Sequence, residues 1–400
     1  MVNFVFLSVY FYSVPNLRFA GYIDNYRTCK LIDISEIVTR TNENNSEYPI
    51  MMISAGKGFI AQSEKYSRDN AGTSINKYIL LKKGELAYNR GNSKQFPYGA
   101  IYEMKEECAL IPYVYHCFNI YDESTRYFSH YLNSPFKDEQ LSKIITSSVR
   151  GNGLLNISKN DFFNLSLNVP SIKEQNKIAK FLDLIDQRIQ TQSKIINSIE
   201  SQIRAINNHI ASDSTSSELN IASLFHVKTS NKLVESNTGK FCIVDMGTID
   251  ANGNYITGKY TDDETSLIPY GTLVMPKDDI GGGKIICKTM CINSSNKYAL
   301  SDHVFALKLK NDKYNPVYFS ALINSQYNNH KLKKLVTGSA QLGINQENLN
   351  RYKLKFSDSL ELQHKYSEII VRLNEELIIE KRLLDLFSSQ KKYLLKNMFV

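Results

Sequence analysis

No run of 18 consecutive apolar residues occurs in the 400-residue sequence, which excludes a conventional membrane-spanning helix. The apolar amino terminus, MVNFVFLSVYFYSV, is shorter than a bilayer span and has neither a basic region nor a small-residue cleavage site. We therefore interpret it as a buried strand or an irregular start of the chain, and not as a signal peptide. The chain is expected to be soluble, intracellular and cytoplasmic, with no membrane partner.

Cysteine clusters are also missing, because the six cysteines are scattered and form no CxxC pair. Even Cys287 and Cys291 are too far apart for a zinc knuckle and have no cysteine or histidine partners nearby in the sequence. The thiols are expected to be free and buried in a reducing compartment. No metal site is predicted.

Familiar catalytic motifs do not occur: there is no GxGxxG, GxSxG or HExxH, and no Asn-Pro-Pro-aromatic tetrad like that of adenine methyltransferases. IGGGKII at 280–286 lacks the first glycine of a phosphate-binding loop, and no Ser or Thr follows Lys284. A turn between strands is predicted there instead. PKDDIGGGK resembles the acidic cluster and lysine of a nuclease but lacks the required strand pattern. We predict no catalytic residue, no cofactor and no enzymatic activity in this chain.

The charge balance is mildly basic. The 48 lysines and arginines outnumber the 40 aspartates and glutamates, which gives a formal net charge of +8 and a pI near 8.9. This excess permits a polyanionic partner without requiring one. The 42% hydrophobic and 22% charged content is that of an ordinary globular chain long enough for two or three domains.

Two copies of one domain-sized unit are present in the sequence. YFSHYLNS at 127–134 returns as YFSALINS at 318–325, a shift of 191 residues. Other blocks match in the same order, and the first of them aligns Gly84 with Gly271: LKKGEL with IPYGTL, VRGNGLLNISKNDFFNLSLNV with VTGSAQLGINQENLNRYKLKF, and KEQ with ELQ. The collinear order of these matches indicates a tandem duplication.

Each copy begins with a globular part that mixes strands and helices. EYPIMMIS, YILLKKGELAYN and ALIPYVYHCFNIY are rich in Ile, Val and Tyr and predict strands. TRYFSHYLNSPF and VYFSALINSQ carry aromatic residues and leucine at spacings of three and four, which predicts helices. We therefore interpret the repeated octapeptide as a packing helix in each copy.

A long helix with a heptad seam follows each globular part. The seam positions alternate steps of four and three, and most are apolar: Ile178, Leu182, Ile185, Ile189, Gln192, Ile196, Ile199, Ile203, Ile206 and Ile210, then Tyr366, Ile370, Leu373, Leu377, Glu380, Leu384, Phe387, Lys391, Leu394 and Met398. The two helices are predicted to pack antiparallel as a stiff spacer between two lobes. Ser171 and Glu174 predict a capping box at the first helix. Gln192 either fixes the register or is a tolerated polar position.

The segment NISKNDFFNLSLNVPSIKEQNKIAKFLDLIDQRI resembles the conserved region of specificity subunits of type I restriction-modification systems. VTGSAQLGINQENLNRYKLKF, followed by a helix ending in KKYLLKNMF, is similar to that family's second conserved region, and VPNLRFAGY to its usual opening. The sequence departs from the family in having no tryptophan near Tyr26. Ser357 and Leu362 replace Pro170 and Glu174 of the first copy, so the second long helix is expected to begin differently.

The resemblance implies an α+β fold with two tandem α/β target-recognition domains, separated by two long antiparallel coiled-coil helices in a pseudo-twofold internal repeat. Residues 1–170 and 213–357 would be the recognition domains, and residues 171–212 and 358–400 the spacer helices. It also implies a DNA-binding specificity subunit that reads a bipartite double-stranded target. Methylation and cleavage would take place on its partners, two methyltransferase subunits and the restriction (motor-nuclease) subunits.

DNA-contacting side chains are expected in the polar loops that follow the aligned glycines. Lys and Arg hold phosphates, and at base edges Arg or Lys suits guanine whereas Asn or Gln suits adenine. The candidates are Asn89, Arg90, Asn92, Lys94 and Gln95 in the first copy, and Lys277 and Lys284, followed by Asn296 and Lys297, in the second. Lys82 and Lys83 belong to the basic run LKK before Gly84, which either holds phosphates or is a solvated face. The loops differ in sequence although their frames match, as two different half-sites would require.

Two other functions fit the same sequence. A coiled-coil assembly scaffold without nucleic acid is one, but it has no need of basic, amide-rich loops at matching points in both copies. The recognition subunit of a split type II-like restriction-methylation enzyme is the other. That subunit would share the fold and differ only in its partner.

Overall fold

The computed structural model describes residues 4–6, 14–42, 47–66, 72–94, 96–145, 154–213, 217–256, 258–280, 282–338 and 341–400. The chain divides into two compact units. The first comprises Met1–Thr191 with Leu384–Val400, and the second comprises Gln192–Leu383. Each unit therefore holds one globular part together with a stretch of both long helices.

The globular part of the first unit contains twelve short strands among its described residues, because its apolar runs end every few residues at turn residues. The strands are β1 (Phe4–Phe6), β2 (Leu17–Phe19), β3 (Arg27–Lys30), β4 (Ser35–Ile37), β5 (Met51–Ser54), β6 (Gly58–Ala61), β7 (Ile79–Lys82), β8 (Leu86–Asn89), β9 (Ala100–Glu103), β10 (Cys108–Ile111), β11 (His116–Ile120) and β12 (Ser166–Val169). The helices are α1 (Gln62–Lys65), α2 (Thr125–Tyr131), α3 (Pro135–Ile144), α4 (Lys159–Phe163) and the first part of α5 (Ile172–Asp213), with 3-10 turns at Leu31–Ile34 and Gly72–Lys77.

The second unit repeats this pattern with some strands shortened. Its strands are β13 (Ser217–Asn220), β14 (Phe225–Lys228), β15 (Phe241–Val244), β16 (Tyr260–Thr261), β17 (Leu273–Pro276), β18 (Asp278–Asp279), β19 (Met290–Cys291), β20 (Tyr298–Leu300), β21 (Val304–Leu309), β22 (Leu342–Gly343) and β23 (Lys353–Phe356). Its helices are α6 (Ile221–Leu224), α7 (Pro316–Asn324), α8 (Gln326–Lys333), α9 (Gln346–Arg351) and most of α10 (Leu360–Asn397), with a 3-10 turn at Met246–Thr248.

One four-stranded antiparallel sheet recurs in both units. Its strand order is β4-β11-β8-β9 in the first unit and β14-β21-β17-β19 in the second. Tyr88 lies opposite His116 in the first sheet, and Met275 lies opposite Phe305 in the second. The pair β3 and β12 likewise corresponds to β13 and β23. The predicted α+β fold with an internal repeat is confirmed.

The repeated octapeptide packs into the main core of each unit, as predicted. Tyr127 and Phe128 are fully buried in the first unit, and Tyr318 and Phe319 are nearly so in the second. The two copies differ in helix length, because α2 ends at Tyr131 within the first octapeptide, whereas α7 covers the second as far as Asn324; a separate helix follows each of them. In the first copy the break precedes Pro135, which favours the first turn of a new helix.

Within the first unit, α5 packs antiparallel against the end of α10. Asp186 accepts a hydrogen bond of 2.5 Å from Lys391, and the Arg188 guanidinium lies 4.4 Å from the centre of the Phe387 ring. The positions rise along α5 while they fall along α10, which defines the antiparallel direction. Lys391, a polar position of the second seam, is thus satisfied by an ion pair.

Within the second unit, the remaining parts of the two helices pack in the same antiparallel sense. His209 contacts Tyr366 with a ring separation of 5.9 Å. At the other end of this stretch, Gln192 donates to the Glu380 carbonyl at 3.1 Å and also to the Glu380 carboxylate. The polar positions of the two seams therefore meet each other, which favours the register interpretation of Gln192.

Matching glutamines tie the starts of the two long helices to the globular parts. In each unit the amide nitrogen donates to the carbonyl that ends the preceding segment, and the amide oxygen accepts from a backbone N–H before the octapeptide helix. These contacts are Gln175 with Pro170 (2.9 Å) and Ser124 (3.0 Å), and Gln363 with Ser357 (2.8 Å) and Asn315 (3.0 Å). The KEQ and ELQ match thus corresponds to one repeated contact.

The predicted capping box of α5 is wrong, because Glu174 points inward. Its carboxylate accepts two hydrogen bonds of 2.8 Å from Arg18 and one of 3.2 Å from Tyr26. Arg18 is 4% exposed and Glu174 is 1% exposed, so this is a buried ion pair. Leu362 stands at the matching position of the second unit, where no such pair can form.

The apolar amino-terminal stretch contributes a strand, since β1 pairs antiparallel with β2. Residues 1–3 and 7–13 of that stretch lie outside the described residues. Across the described part of the chain, no helix combines the length and apolar character needed to cross a bilayer.

Candidate nucleic-acid interface

Two loops leave the shared sheet at matching places. Loop 1 (residues 90–99) connects β8 to β9, and loop 2 (residues 277–287) connects β17 to β19 and contains β18. β9 and β19 are the edge strands of their sheets. Each loop therefore runs from a central strand to an edge strand, in the same frame in both units.

A second segment pairs with each loop. It belongs to VRGNGLLNISKNDFFNLSLNV in the first copy and to the matching VTGSAQLGINQENLNRYKLKF in the second. In the first unit Gly91 forms a bridge with Leu154, and in the second unit Asp279 pairs with Leu342. Both bridges are antiparallel. The frame around the loops is consequently repeated even though the loop sequences differ.

Arg90 and Asn89 hold the start of loop 1. The Arg90 guanidinium donates to the carbonyls of Ile157 at 2.9 Å and Val114 at 3.2 Å. The Asn89 side chain accepts from the Gly91 amide at 3.0 Å. Both side chains are half-buried, so the geometry favours a role in shaping the loop. Their predicted contact with DNA stays a prediction.

The exposed side chains of loop 1 are presented by a tight turn. The Ser93 hydroxyl accepts from the Phe96 amide at 3.0 Å, and the Phe96 carbonyl accepts from the Ser93 amide at 3.1 Å. Asn92 and Lys94 beside this turn are exposed. Gln95, the remaining candidate here, lies outside the described residues.

The two acidic residues of loop 2 give the loop its shape. The buried Asp279 carboxylate accepts from the amides of Ile285 at 2.9 Å and Ile286 at 3.3 Å, which closes the loop on itself. Asp278 contacts His303 at 2.9 Å. Both carboxylates of the acidic pair in PKDDIGGGK thus have partners within the second unit.

Basic side chains remain at the surface of loop 2. Lys284 is exposed, next to Gly282 and Gly283, whose positive φ angles of 78° and 79° favour glycine. Lys277 is half-buried, and its ammonium group lies 5.9 Å from the centre of the Phe305 ring. Loop 2 thus offers one fully exposed cation and one that lies against the sheet.

The other four candidates lie at the opposite ends of the central strands. Lys82 and Lys83 precede β8, while loop 1 follows it. Asn296 and Lys297 belong to the turn near the start of β17, where Ser295 accepts from the Tyr270 amide at 3.1 Å. The structure does not bring these four residues together with the loops.

The ammonium groups of Lys83 and Lys297 each contact a neighbouring side chain. Lys83 forms an ion pair of 2.6 Å with Glu107, and both side chains are exposed. Lys297 lies 5.2 Å from the centre of the Tyr298 ring. Asn296 has a positive φ of 56°, a conformation that asparagine tolerates well.

The ends of both loops share a left-handed residue, Gly99 with a φ of 77° and Cys287 with a φ of 63°. A Cβ atom on Gly99 would lie 2.4 Å from the carbonyl oxygen of Asn89, so only glycine fits. Lys137 donates to the Gly99 carbonyl at 2.8 Å, and Asn329 donates to the Cys287 carbonyl at 2.9 Å.

Burial changes the chemistry of two of these groups. It lowers the pKa of the Lys137 ammonium, an effect that Asp138 at 3.3 Å opposes. It raises the pKa of the Cys287 thiol to about 12, which makes this cysteine a poor nucleophile. Among the residues whose placement is described, no three His, Cys, Asp or Glu side chains form a group that could hold a metal ion.

The type I restriction modification DNA specificity domain matches the sequence twice, over residues 24–201 and 215–386. The chain belongs to this family. Each match covers one copy of the internal repeat, with its loop and most of its long helix. The chain is therefore a DNA specificity subunit.

Solved structures show the same fold for this specificity subunit. The type I restriction-modification S subunit from M. genitalium superposes with a TM-score of 0.63 at 14% identity, over 97% of this chain and 99% of that one. A chain from a structure on complex assembly and conformational transition of the type I R-M system gives 0.51 at 11% identity, over 94% and 97%. No curated protein matches the sequence.

Sequence reasoning missed the residues that hold the loop ends. It treated the octapeptide only as a packing element, although its seventh residue is asparagine in both copies, Asn133 and Asn324. An amide that recurs at the same position of both octapeptides is the signal that could have indicated a polar contact.

Proposed function

We propose that this specificity subunit reads a bipartite double-stranded DNA target, with loop 1 contacting one half-site and loop 2 the other. The observation that carries the proposal is the repeated frame: two loops of different sequence leave equivalent strands and are held at equivalent points. A shared frame gives both loops the same approach to DNA. Different side chains on it give the two half-sites different sequences.

Exposed loop side chains of both copies suit contacts with a duplex. Lys94 and Lys284 carry exposed cations that hold a phosphate or donate to guanine, and Asn92 has the donor and acceptor pair that matches adenine. The excess of positive charge over the whole chain adds a favourable, salt-dependent term. Loop backbones held by internal hydrogen bonds keep these side chains in place, which reduces the entropy lost on binding.

The chemistry belongs to the partners in this proposal, and the chain needs no cofactor of its own. Two methyltransferase subunits would dock on it, and motor-nuclease subunits would join the complex. The most exposed apolar side chains of α10 offer a docking surface in both units: Ile378 and Ile379, which are 66% and 59% exposed, in the second unit, and Leu386 and Tyr393, 58% and 53% exposed, in the first.

Methylome sequencing tests the proposed function. A host free of methylation receives the cognate methyltransferase subunit either alone or with this chain. We expect a split motif that appears only when the chain is present. No new motif, from two proteins that still co-purify, would contradict sequence recognition by this chain.

Docking is tested separately by co-purification of the two proteins. Ile378→Asp with Ile379→Asp should weaken capture of the methyltransferase subunit, because the charges would have to be desolvated in the contact. Ser388→Asp, at an exposed polar position of α10 about 200° around the helix from Leu386, is the control and should leave capture unchanged. Equal capture by all of these proteins would contradict the proposed surface.

A further inference from the structure

Asn133 and Asn324 make the same pair of contacts in the two units. The Asn133 side chain accepts from the Ile101 amide at 3.0 Å and donates to the Ile101 carbonyl at 2.5 Å. The Asn324 side chain accepts from the Thr289 amide at 2.8 Å and donates to the Thr289 carbonyl at 2.7 Å. Each asparagine therefore satisfies both backbone groups of a single residue.

The two clamped residues occupy equivalent places. Ile101 lies two residues beyond Gly99, and Thr289 lies two residues beyond Cys287. Both therefore have the same spacing from the left-handed residue that ends the loop. Ile101 belongs to an edge strand, and Thr289 immediately precedes one. An edge strand leaves a row of backbone donors and acceptors unpaired. Each asparagine pairs with one residue of that row, as a neighbouring strand would.

A second contact from the next helix strengthens each clamp. The donors from Lys137 to Gly99 and from Asn329 to Cys287 bind the carbonyl two residues before the clamped position. Two carbonyls that lie two residues apart at the end of each loop are thus fixed from outside the loop. All four donors come from the octapeptide or the helix after it, and no loop side chain takes part, so loop sequence is free to vary.

We propose that Asn133 and Asn324 are positioning residues for base readout, each fixing the end of one loop so that its side chains meet one half-site in register. This inference rests on the proposed function, since it assigns each clamp to the half-site that its own loop reads. Losing a clamp should leave DNA binding through phosphates largely intact. The same loss should reduce the discrimination between bases in one half-site only.

The test compares purified complexes of the chain with its methyltransferase subunit on duplexes that carry single-base changes in either half-site. Asn133→Ala should reduce discrimination in one half-site at least about tenfold, the loss expected for about 1.4 kcal/mol of positioning, and leave the other within about twofold. Asn324→Ala should do the same to the opposite half-site. Asn133→Asp and Asn324→Asp keep the acceptor and lose the donor, and serve where an alanine variant does not fold.

Matched controls remove an asparagine that donates to a backbone carbonyl away from the loops. They are Asn164→Ala, which loses a bond of 2.9 Å to Asn160, and Asn374→Ala, which loses one of 2.9 Å to Ile370. Both should keep full discrimination in both half-sites. Amide hydrogen exchange at Ile101 and Thr289 should accelerate only in the corresponding clamp variant.

The outcomes separate the inference from the function on which it rests. A wild-type chain that directs a split motif, with clamp variants that discriminate as well as wild type or lose both half-sites equally, would overturn the positioning role alone. A wild-type chain that directs no motif would contradict the proposed function and the inference with it.

Discussion

The two units share one frame but stabilise it with different chemistry. The first unit buries charged or ionisable side chains where the second has apolar or amide ones: Glu174 against Leu362, His116 against Phe305, and Lys137 against Asn329. The repeated contacts are those of the paired strands, of Gln175 and Gln363, and of Asn133 and Asn324. The difference shows that backbone pairing and amide clamps define the frame, while the buried charges can be replaced.

The largest expected effect comes from breaking the buried ion pair of the first unit. Glu174→Ala leaves Arg18 buried without its counter-charge, which should lower the free energy of unfolding by about 3–5 kcal/mol. Thermal unfolding followed by circular dichroism would show the loss, and hydrogen exchange would place it at the start of α5. The double variant Arg18→Met with Glu174→Leu copies Leu362 of the second unit and should recover most of the stability. An unchanged melting temperature in Glu174→Ala would contradict this account.

His116 predicts a difference in pH dependence between the units. Burial, with a contribution from Arg90, lowers the pKa of His116 from 6.5 to about 4. Between these values the unfolded chain binds a proton that the folded chain does not, so stability falls as the pH drops, by about 2–3 kcal/mol in total. His116→Phe, which copies Phe305, should remove this part of the pH dependence in urea unfolding at about pH 7 and pH 4.5. Equal pH dependence in both proteins would contradict the prediction.

The polar seam pair of the second unit should matter more than the ion pair of the first. Gln192→Leu leaves the half-buried Glu380 without its donor and should cost about 1–3 kcal/mol. Lys391→Ala removes a partly exposed ion pair with Asp186 and should cost about 0–1 kcal/mol. Thermal unfolding of both variants, with Gln192→Leu and Glu380→Leu combined as the control that restores stability, measures the order. The reverse order would contradict the buried role of Gln192.

The smallest expected effect concerns phosphate contacts by the two loops. Lys94→Ala and Lys284→Ala should each reduce the slope of log affinity against log salt concentration by about 0.9, the value for one phosphate contact. Lys83→Ala should leave the slope unchanged, because Lys83 pairs with Glu107 and lies at the other end of β8. Fluorescence anisotropy with labelled duplex measures all three. An equal change of slope in Lys83→Ala would contradict the claim that the loop lysines contact phosphates and that Lys83 does not.

The long helices and the duplication could be predicted from the sequence. A helical pattern involves only residues that are close in the chain, and every further matching block strengthens the evidence for a repeat. The seam positions are buried or half-buried as predicted, and the octapeptide packs into both cores. Contacts between distant residues were not readable. Glu174 pairs with Arg18 across 156 positions, so the nearby Ser171 was the only visible partner. Asn133 and Asn324 reach back 32 and 35 positions, to backbone groups that no side-chain pattern marks.

The measurement that tests the central claim most directly is selection from random duplex DNA by the chain in complex with its methyltransferase subunit. Three chains would be compared: wild type, a loop 1 variant with Asn92→Ala and Lys94→Ala, and a loop 2 variant with Lys277→Ala and Lys284→Ala. We predict that wild type enriches two specified blocks around an unspecified spacer, and that each variant loses sequence information in one block only, a different block for each loop. A single contiguous block, or two variants that blur the same block, would contradict the account.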